Sequence, residues 1–384
     1  MRLSTKLNDW LHPLMIRYVM RANRRVISRL EKEHPELFSS VNRDVEESHI
    51  ALWSKLGLPV SVKWCRLFSN LSSIPDFRYC PEDIYFARIE RILNDANHGG
   101  VGCEDKNELA LYVPPERTPE IVLRYIRGVF LDAEYKFVSE KSVKSLLRCN
   151  HGDLIGKICV NAFGGHGVQM FRFEDGRYKS ENGQHLTIES IKNASSSYVI
   201  QKKIAQCDFS AKFNPASANT CRIMTLRCPW NGEIVVLKSA MRIGVTNAVI
   251  DNLSSGGITC PVDANGNLSR YAYSWYKDAP FARYEEHPVT KVRFAGEKYP
   301  NFDVIKSVVI QAAERIPYMN ILGWDVLVDE NNSVRILEVN AMSIGMDWPQ
   351  YDFGGLFGDL TEEVVEWCAA HKEFDKFSHI RTWF

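Results

Sequence analysis

The sequence predicts an α+β fold preceded by a mainly helical region, and three observations carry this prediction. Residues 1–95 contain few glycines and place apolar residues at helical spacing. From about residue 103 onward, short segments of alternating apolar and polar residues are separated by turn residues, which is typical of strands. The segment Val304–Ile316 has the spacing of a helix that packs on a sheet, and a hairpin pattern follows it.

Composition excludes several classes of protein. The chain has 384 residues, of which 45% are apolar and 24% charged, and its 47 basic residues balance 47 acidic ones. This balance argues against bulk nucleic-acid binding. No apolar run approaches the roughly 20 residues of a membrane span, and the amino terminus lacks a signal-peptide pattern. The ten cysteines form no Cys-x-x-Cys pair, so we expect small buried side chains in a reducing cytoplasm.

The first helix combines an apolar stripe with basic residues. The stripe consists of Trp10, Leu11, Leu14, Met15, Tyr18 and Val19, and the arginines that lie mostly off it are Arg17, Arg21, Arg24 and Arg25. Such a helix could rest on an anionic membrane. We favour the alternative, in which the stripe packs against the rest of the chain. A further helix is expected over Ile84–Leu93, with a stop signal at residues 97–100.

Short strands and a glycine-rich segment follow. Ile121–Phe130 and Lys136–Val138 are predicted strands, and Ser139 is a candidate cap for a helix near 141–147. A strand at Ile155–Val160 carries Lys157, and a second strand, Val168–Phe173, follows Gly164-Gly165-His166-Gly167. A hairpin with a glycine-rich tip can bring its N–H groups close to phosphate oxygens. The alternative is a plain flexible turn.

The next strands carry two arginines. Tyr198–Ile204 is predicted as a strand that runs into a linker, and Asp208 follows. Cys221–Arg227 and Glu233–Ile243 are predicted strands that hold Arg222 and Arg242. An arginine on a partly buried strand usually has an anionic partner, which is either a ligand or a structural carboxylate. The loop at residues 251–257 either touches a substrate or only connects two strands.

The hairpin over residues 323–340 places two acids together. We expect strands at Trp324–Asp329 and Val334–Asn340, joined by a two-residue turn on Asn331-Asn332. The resulting pairs are Glu330–Ser333, Leu327–Ile336 and Asp325–Glu338. Val334, Ile336, Glu338 and Asn340 then share one face of the second strand. Asn301 or Asp303 would cap the preceding helix, and a last helix is expected over Leu360–Ala370.

Asp325 and Glu338 would then be about 5 Å apart at their Cβ atoms. Like charges in that position destabilise a sheet unless a cation lies between them. With the carbonyl oxygen of Asn340 they form a hard-ligand set that suits Mg²⁺ carrying phosphate rather than Zn²⁺. The alternative is an ordinary surface hairpin with solvated acids, but the strands around these acids are strongly apolar.

The order of these features resembles the ATP-grasp superfamily. It looks closest to the sugar-transfer-associated ATP-grasp proteins, which are related to α-L-glutamate ligases. The motifs are DKN at 105–107, FGGHGV at 163–168, IQKKI at 200–204, SANTCRIMTL at 217–226, DNLSSGG at 251–257 and GWDVLVD…ILEVN at 323–340. The resemblance covers roughly residues 100–350. It implies two α+β subdomains that clasp ATP, over 99–200 and 201–350, between a helical region at 1–98 and a carboxy-terminal helix and tail at 351–384.

The resemblance also implies roles for individual residues. Lys106 and Lys157 would contact the ATP phosphates, and the hairpin of Gly164, Gly165, His166 and Gly167 would close over them. Gln201 would face the adenine, the backbone of Lys202 and Ile204 would bond its edge, and Asp208 would hold the ribose. Arg222 and Arg242 would stabilise the transferring phosphoryl group. Asp325, Glu338 and Asn340 would bind Mg²⁺, as two ions. Gln201 departs from the family, since relatives often have Glu there, and Lys203 stands where many have an apolar residue.

The implied activity is that of a cytoplasmic, Mg²⁺- and ATP-dependent ligase. A carboxylate would attack the γ-phosphate of ATP, and an amine would displace phosphate from the acyl-phosphate. The family points to a sugar-linked or small-metabolite carboxylate in cell-surface polysaccharide or related biosynthesis. The alternatives are a kinase on the same fold and a non-catalytic nucleotide-binding module. The sequence does not identify either substrate, whose pocket we expect in the loops 244–260 and 341–358, or the oligomeric state.

Overall fold

The computed structural model describes residues 2–95, 101–160, 167–245, 256–275 and 281–375, with side chains from residue 11 onward apart from residue 101. The helices are α1 Arg2–Glu33, α2 Arg43–Ser54, α3 Lys63–Ser72, α4 Glu82–Ile84, α5 Glu90–Leu93, α6 Val101–Glu104, α7 Leu109–Tyr112, α8 Glu140–Leu146, α9 Ile188–Ala194, α10 Asp208–Ala211, α11 Phe302–Glu314 and α12 Thr361–Ala370. A π-helical turn, Tyr85–Ile89, connects α4 to α5. Short 3₁₀ turns lie at Pro35–Phe38, Pro115–Arg117, Trp348–Gln350, Gly358–Leu360 and Lys372–Phe374.

The strands form two antiparallel sheets. They are β1 Ile121–Ile126, β2 Val129–Leu131, β3 Leu154–Ile158, β4 Val168–Glu174, β5 Arg177–Ser180, β6 Ser197–Lys202, β7 Cys221–Arg227, β8 Ile234–Ile243, β9 Ile258–Val262, β10 Ala272–Tyr273, β11 Arg283–Tyr284, β12 Ile321–Val328 and β13 Val334–Asn340. The small sheet has the order β2-β1-β6-β3-β4-β5. The large sheet has the order β11-β10-β9-β8-β7-β12-β13. The α+β fold predicted from the sequence is therefore confirmed.

The large sheet lies between two apolar layers. On one side, α11 contributes Ile305 and Val309 to a buried cluster with Trp324 and Val326 of β12. On the other side, Met224 of β7 belongs to a cluster that the amino-terminal helices and α12 complete. That cluster includes Trp53, Trp64, Tyr85, Ala240, Ile321, Val364, Val365 and Cys368. The helical region predicted for residues 1–95 thus packs on the face of the large sheet that is opposite to α11.

The packing of α1 differs from the prediction. The side chains that it buries are Ile16, Met20, Ile27 and Leu30. Leu14 and Met15 are each 43% exposed and Tyr18 is 69% exposed. The predicted packing of the stripe is therefore wrong for these three residues, although Val19 does contact the core. The helix packs by the face opposite to the one that its apolar spacing suggested.

The small sheet is built on two hairpins. The predicted strand Ile121–Phe130 is instead β1 and β2, because Arg127 and Gly128 adopt positive φ and turn the chain between them. In the predicted strand Lys136–Val138, Phe137 makes only an isolated bridge to Leu131. Ser139 does cap α8, since its hydroxyl accepts from the Ser142 N–H. These elements hold β3 and β6 in the middle of the sheet.

The start of α11 is tied to the hairpin rather than capped. Asn301 occupies the N-cap position with a φ of 53°, but its side chain makes no capping hydrogen bond. Its amide donates to the Asn332 carbonyl in the hairpin turn instead, at 2.7 Å. Asp303 lies inside the first turn and pairs with Lys306. Neither predicted residue therefore caps this helix through its side chain.

Cysteine burial agrees with the sequence analysis. All ten cysteines are free, nine of them are buried and Cys149 is exposed. In the part of the chain that the structure describes, no helix has the length and apolar character that crossing a membrane requires.

Candidate functional site

The hairpin of β12 and β13 places Asp325 directly opposite Glu338, as predicted. The route to this register differs from the prediction. The turn is closed by the Asp329 N–H donating to the Ser333 carbonyl, so Glu330, Asn331 and Asn332 all lie in the turn. The Asp329 carboxylate and the positive φ of Asn332 stabilise this longer turn.

A bulge restores the register that the longer turn shifts. Val326 pairs with Ile336 and Asp325 with Glu338, so Leu337 has no partner on β12. The predicted pairs Glu330–Ser333 and Leu327–Ile336 are therefore wrong. The bulge also separates the residues that we placed on one face, because Val334, Ile336 and Val339 join the apolar core while Glu338 forms an ion pair. Glu338 is thereby turned out of the core.

Asp325 is held by both candidate arginines. Arg222 lies opposite it on β7 and donates from Nε to Oδ1 at 2.5 Å and from Nη2 to Oδ2 at 3.0 Å. Arg242, one strand further on β8, donates from Nη1 to Oδ1 and Oδ2 at 3.1 and 3.0 Å. Burial acts to raise the pKa of Asp325, but the charges of the two guanidinium groups outweigh it and lower the pKa to about 2. Asp325 is therefore a buried carboxylate in its ionised form.

The two lysines predicted to contact phosphate lie close to Glu338. The Lys106 ammonium is 3.2 Å from Glu338 Oε1, and the Lys106 side chain is buried. Lys157 projects from β3, and desolvation lowers its pKa while the charge of Glu338 acts to raise it. Lys106, Lys157, Glu338 and Asp325 thus lie close enough together for their charges to interact.

The donor set of the hairpin fits a hard divalent cation. Asn340 donates from Nδ2 to the Gly323 carbonyl at 3.3 Å, so its Oδ1 is the atom that would face a cation. Two carboxylates and an amide oxygen suit Mg²⁺. No group of three or more His, Cys, Asp or Glu side chains suited to a metal ion occurs among the described residues.

The segment that carries Lys106 is fixed to the small sheet by its neighbour, Asn107. The Asn107 side chain donates to Ser197 Oγ at 3.0 Å. The backbone carbonyl of Asn107 accepts from Arg124 Nη1 at 2.7 Å and from the Tyr135 hydroxyl at 2.5 Å. Arg124 lies in register with Val199, which is also opposite Lys157, so Arg124 and Lys157 share a face of the small sheet. Sequence reasoning missed Arg124 and Asn107 as positioning residues. The available signals were the DKN motif, which includes Asn107, and an arginine inside a predicted strand.

The predicted adenine and ribose residues lie along the end of β6 and the linker. Gln201 is buried in β6, and Ile204 is half-buried beyond its end. The Lys202 N–H donates to the Glu120 carbonyl, so an adenine contact from Lys202 would use its own carbonyl. Asp208 is exposed at the start of α10. The roles of these residues toward adenine and ribose stay predictions.

Part of the predicted site lies outside the described residues. Gly164, Gly165 and His166 lie outside the described residues, and so do residues 251–255 of the polar loop. The predicted helix stop signal at 97–100, which is not part of the site, lies outside them as well. Gly167 is described, with a φ of 74° and with Ile158 so close that a Cβ atom would meet it at 2.6 Å. Position 167 therefore requires glycine.

Two carboxylates, one in the helical region and one shortly after it, hold the segment that follows Asn340. Glu104 of α6 accepts from the N–H groups of Ala341 and Met342, each at 2.8 Å, and Glu90 of α5 accepts from the Ile344 N–H at 3.2 Å. Burial raises the pKa of Glu104, and it raises the pKa of Glu90 to about 7. Sequence analysis gave no role to these residues. Their contacts connect the helical region directly to the end of the candidate metal strand.

Two antiparallel sheets, with Lys157 on the small one and two arginines facing Asp325 on the large one, are the arrangement expected of an ATP-grasp protein. The family model described as sugar-transfer associated ATP-grasp matches residues 127–362, more than half of the chain. The chain belongs to this family, and the resemblance seen in the sequence is confirmed. A comparison with the curated proteins finds no match.

Solved structures with similar folds have low identity to this chain. Biotin carboxylase from Campylobacter jejuni is 12% identical with a TM-score of 0.40, over 72% of this chain and 48% of that one. N5-carboxyaminoimidazole synthetase from Staphylococcus aureus, complexed with ADP, is 11% identical with a TM-score of 0.39, over 68% and 52%. L-amino acid ligase from Bacillus licheniformis is 12% identical with a TM-score of 0.35, over 64% and 42%. The chain spans about half the length of these structures.

Proposed function

We propose that the protein is a Mg²⁺- and ATP-dependent carboxylate–amine ligase that acts through an acyl-phosphate. The observation that carries the proposal is the convergence of four cationic side chains on two carboxylates, where Arg222 and Arg242 face Asp325. Lys106 and Lys157 lie near Glu338. Phosphoryl transfer depends on positioning and charge neutralisation more than on a protein nucleophile, and this site supplies both.

In this proposal each basic group has a role toward ATP. Lys106 and Lys157 hold the phosphates, and the glycine-rich hairpin at 164–167 covers them. Gln201, Lys202 and Ile204 receive the adenine, and Asp208 the ribose. Asp325, Glu338 and Asn340 would hold Mg²⁺, as two ions, which would neutralise phosphate charge.

The reaction then follows from the charges at the site. A substrate carboxylate oxygen attacks the γ-phosphorus, and ADP leaves with the electrons of the broken P–O bond. Arg222 and Arg242 stabilise the negative charge on the transferring phosphoryl group. The amine nitrogen attacks the acyl carbon, phosphate leaves, and the nitrogen loses its proton to give the amide. The described part of the site supplies charge and position for these steps rather than a covalent nucleophile.

Some of the hydrogen bonds between the two arginines and Asp325 would break when a cation binds to Asp325. In the structure both oxygens of Asp325 accept from both guanidinium groups. A cation at Asp325 would replace at least one of these contacts. The released guanidinium would then lie beside the phosphates that arrive with the cation, where transition-state charge develops. The ion pairs thus hold both guanidinium groups in place before the nucleotide binds.

The description of the family supports a carboxylate that is sugar-linked or a related small metabolite, in cell-surface polysaccharide or related biosynthesis. A cytoplasmic location would give access to ATP, and it accords with ten free cysteines.

A product assay tests this function. Purified protein is incubated with ATP, Mg²⁺ and paired panels of sugar carboxylates and amino acids, and ADP, phosphate and amide are measured. A ligase releases ADP, phosphate and amide in equal amounts, and Arg242→Gln abolishes all three. ADP with a stable phosphorylated product and no free phosphate would indicate a kinase. Nucleotide binding without any ADP across the panels would favour a non-catalytic module.

A further inference from the structure

The outward face of α1 is the strongest surface feature that the proposed site does not use. We define it as Leu14, Met15, Arg17, Tyr18, Arg21 and Arg25, all of which are exposed. Leu14, Tyr18, Arg21 and Arg25 follow one another at spacings of four, three and four residues, so they form a single line along the helix. The apolar members occupy one end of this line and the arginines continue it.

This face is opposite to the one that packs on the protein. Ile16, Met20 and Ile27 are each at most 7% exposed, and they lie about half a helical turn from Leu14, Tyr18 and Arg25 respectively. Burial of that second face fixes the orientation of α1. The apolar residues of the outward face are therefore presented to the surroundings by a rigid helix and are not a spare packing surface.

The charge of this face is not compensated locally. Residues 11–30 contain five arginines and no acidic residue, although the whole chain has equal numbers of basic and acidic residues. Four acids that lie on α1 or pair with it are already engaged: Asp83 with Arg24, Glu31 with Lys63, Glu33 with Arg29, and Asp375 with His12 and Arg88. Among the described residues, Arg17, Arg21 and Arg25 form no ion pair. They are available to an anionic partner.

We propose that the outward face of α1 binds in the plane of an anionic lipid bilayer. Leu14, Met15 and Tyr18 would enter the boundary between headgroups and acyl chains, and Arg17, Arg21 and Arg25 would contact lipid phosphates. An anionic bilayer accommodates both parts of this face at once, because it offers an apolar layer to the apolar residues and phosphates to the arginines. A second copy fits poorly, because parallel pairing of these faces brings arginines of two chains together and antiparallel pairing sets Arg25 opposite Leu14, so neither arrangement supplies an anionic partner.

Vesicle binding of the full chain tests the proposal. Co-sedimentation is measured with phosphatidylcholine vesicles and with an about 3:1 mixture of phosphatidylcholine and phosphatidylglycerol. We expect binding to the anionic vesicles only, and we expect it to weaken as salt is raised. Arg21→Gln together with Arg25→Gln should lower the partition coefficient about 25-fold, since each basic residue near such a surface contributes roughly fivefold.

Matched controls separate this face from general surface effects. Leu14→Ser with Tyr18→Ser should also reduce binding, whereas Arg43→Gln and Phe137→Ser, at exposed positions elsewhere, should leave it unchanged. Equal binding to neutral and anionic vesicles, or no binding by the wild type, would overturn the proposal. So would self-association that the Leu14 and Tyr18 changes abolish. ATP binding is measured on every variant and should stay unchanged, so a failure of the proposed ligase activity remains distinguishable.

Discussion

Asp325 accepts hydrogen bonds from two guanidinium groups, and this carboxylate therefore offsets part of the cost of placing Arg242, which is buried, and Arg222, which is partly buried, in the large sheet. Arg242 is 6% exposed and Asp325 is 7% exposed. Burying either cation alone would be expensive, because desolvation of a charge costs several kcal/mol without a partner. The ion pairs therefore stabilise the fold whether or not the residues also serve a reaction.

Replacing Asp325 tests how much these ion pairs contribute to stability. Asp325→Asn removes the charge and leaves two guanidinium groups facing each other, so the free energy of unfolding should fall by about 3–5 kcal/mol. Urea unfolding measures it, and Asp175→Asn, at an exposed turn position, is the control. Unchanged stability in the Asp325 variant would mean that the arginines are compensated elsewhere.

Individual site residues were predictable only where local pattern decides them. The pairing of Asp325 with Glu338 follows from the hairpin. The predicted pairing is correct because the bulge at Leu337 compensates for the extra residue in the turn. The partners of Asp325 were not predictable, since they depend on β7 lying beside β12 and β8 beside β7. Strand order in a sheet is set by tertiary packing, which alternation along one strand does not encode.

The segment after β13 connects the site to the helical region. Its N–H groups at 341, 342 and 344 are satisfied by carboxylates of α5 and α6 rather than by neighbouring backbone. Asn94 adds a further connection, because its amide donates to the Ile321 carbonyl and accepts from the Ile321 N–H. The start of β12 and the end of β13 are thus both held by the region that precedes residue 105.

The raised pKa of Glu90 makes this connection sensitive to pH. Burial holds the folded-state pKa near 7, above the usual 4.5 of a glutamate, so the folded protein retains a proton that the unfolded chain releases. The Glu90 contribution to stability is therefore complete below pH 4.5 and is lost as pH rises to about 7. Glu90→Gln should remove this dependence, which thermal unfolding of both proteins from pH 5 to 8 would measure.

An exposed carboxylate provides the control for that experiment. Glu373→Gln should follow the wild-type curve, because Glu373 is exposed on a 3₁₀ turn. Parallel curves for the wild type and Glu90→Gln would show that the Glu90 carboxyl titrates alike in both states, contrary to this account.

Elements were predicted well where the local signal is strong. β7, β8, α8 and α11 lie close to their predicted positions, because alternation, caps and apolar spacing agree there. The packing face of α1 was not predicted correctly. Both faces of this helix carry apolar residues, and only the tertiary fold decides which one is buried.

At the scale of the whole molecule, the helical region, α12 and the large sheet share one apolar core. Val364 and Val365 of α12 join Trp53 and Trp64 of the helical region in this core. The order of the motifs in the sequence sufficed to predict the family, because that order is a property of the chain. The supporting role of residues 1–95 could not be predicted, since it consists of contacts between residues more than 200 positions apart. The proposed domain boundaries stay a prediction.

ATP binding by calorimetry, with and without Mg²⁺, tests the central claim most directly. The wild type is compared with Glu338→Gln, which removes a proposed metal ligand, and with Glu330→Gln, which changes an exposed acid in the turn of the same hairpin. The account predicts Mg²⁺-dependent binding that Glu330→Gln leaves intact and Glu338→Gln weakens roughly tenfold or more, while unfolding curves remain alike. Absence of nucleotide binding in the wild type, or binding that neither Mg²⁺ nor Glu338→Gln alters, would contradict it.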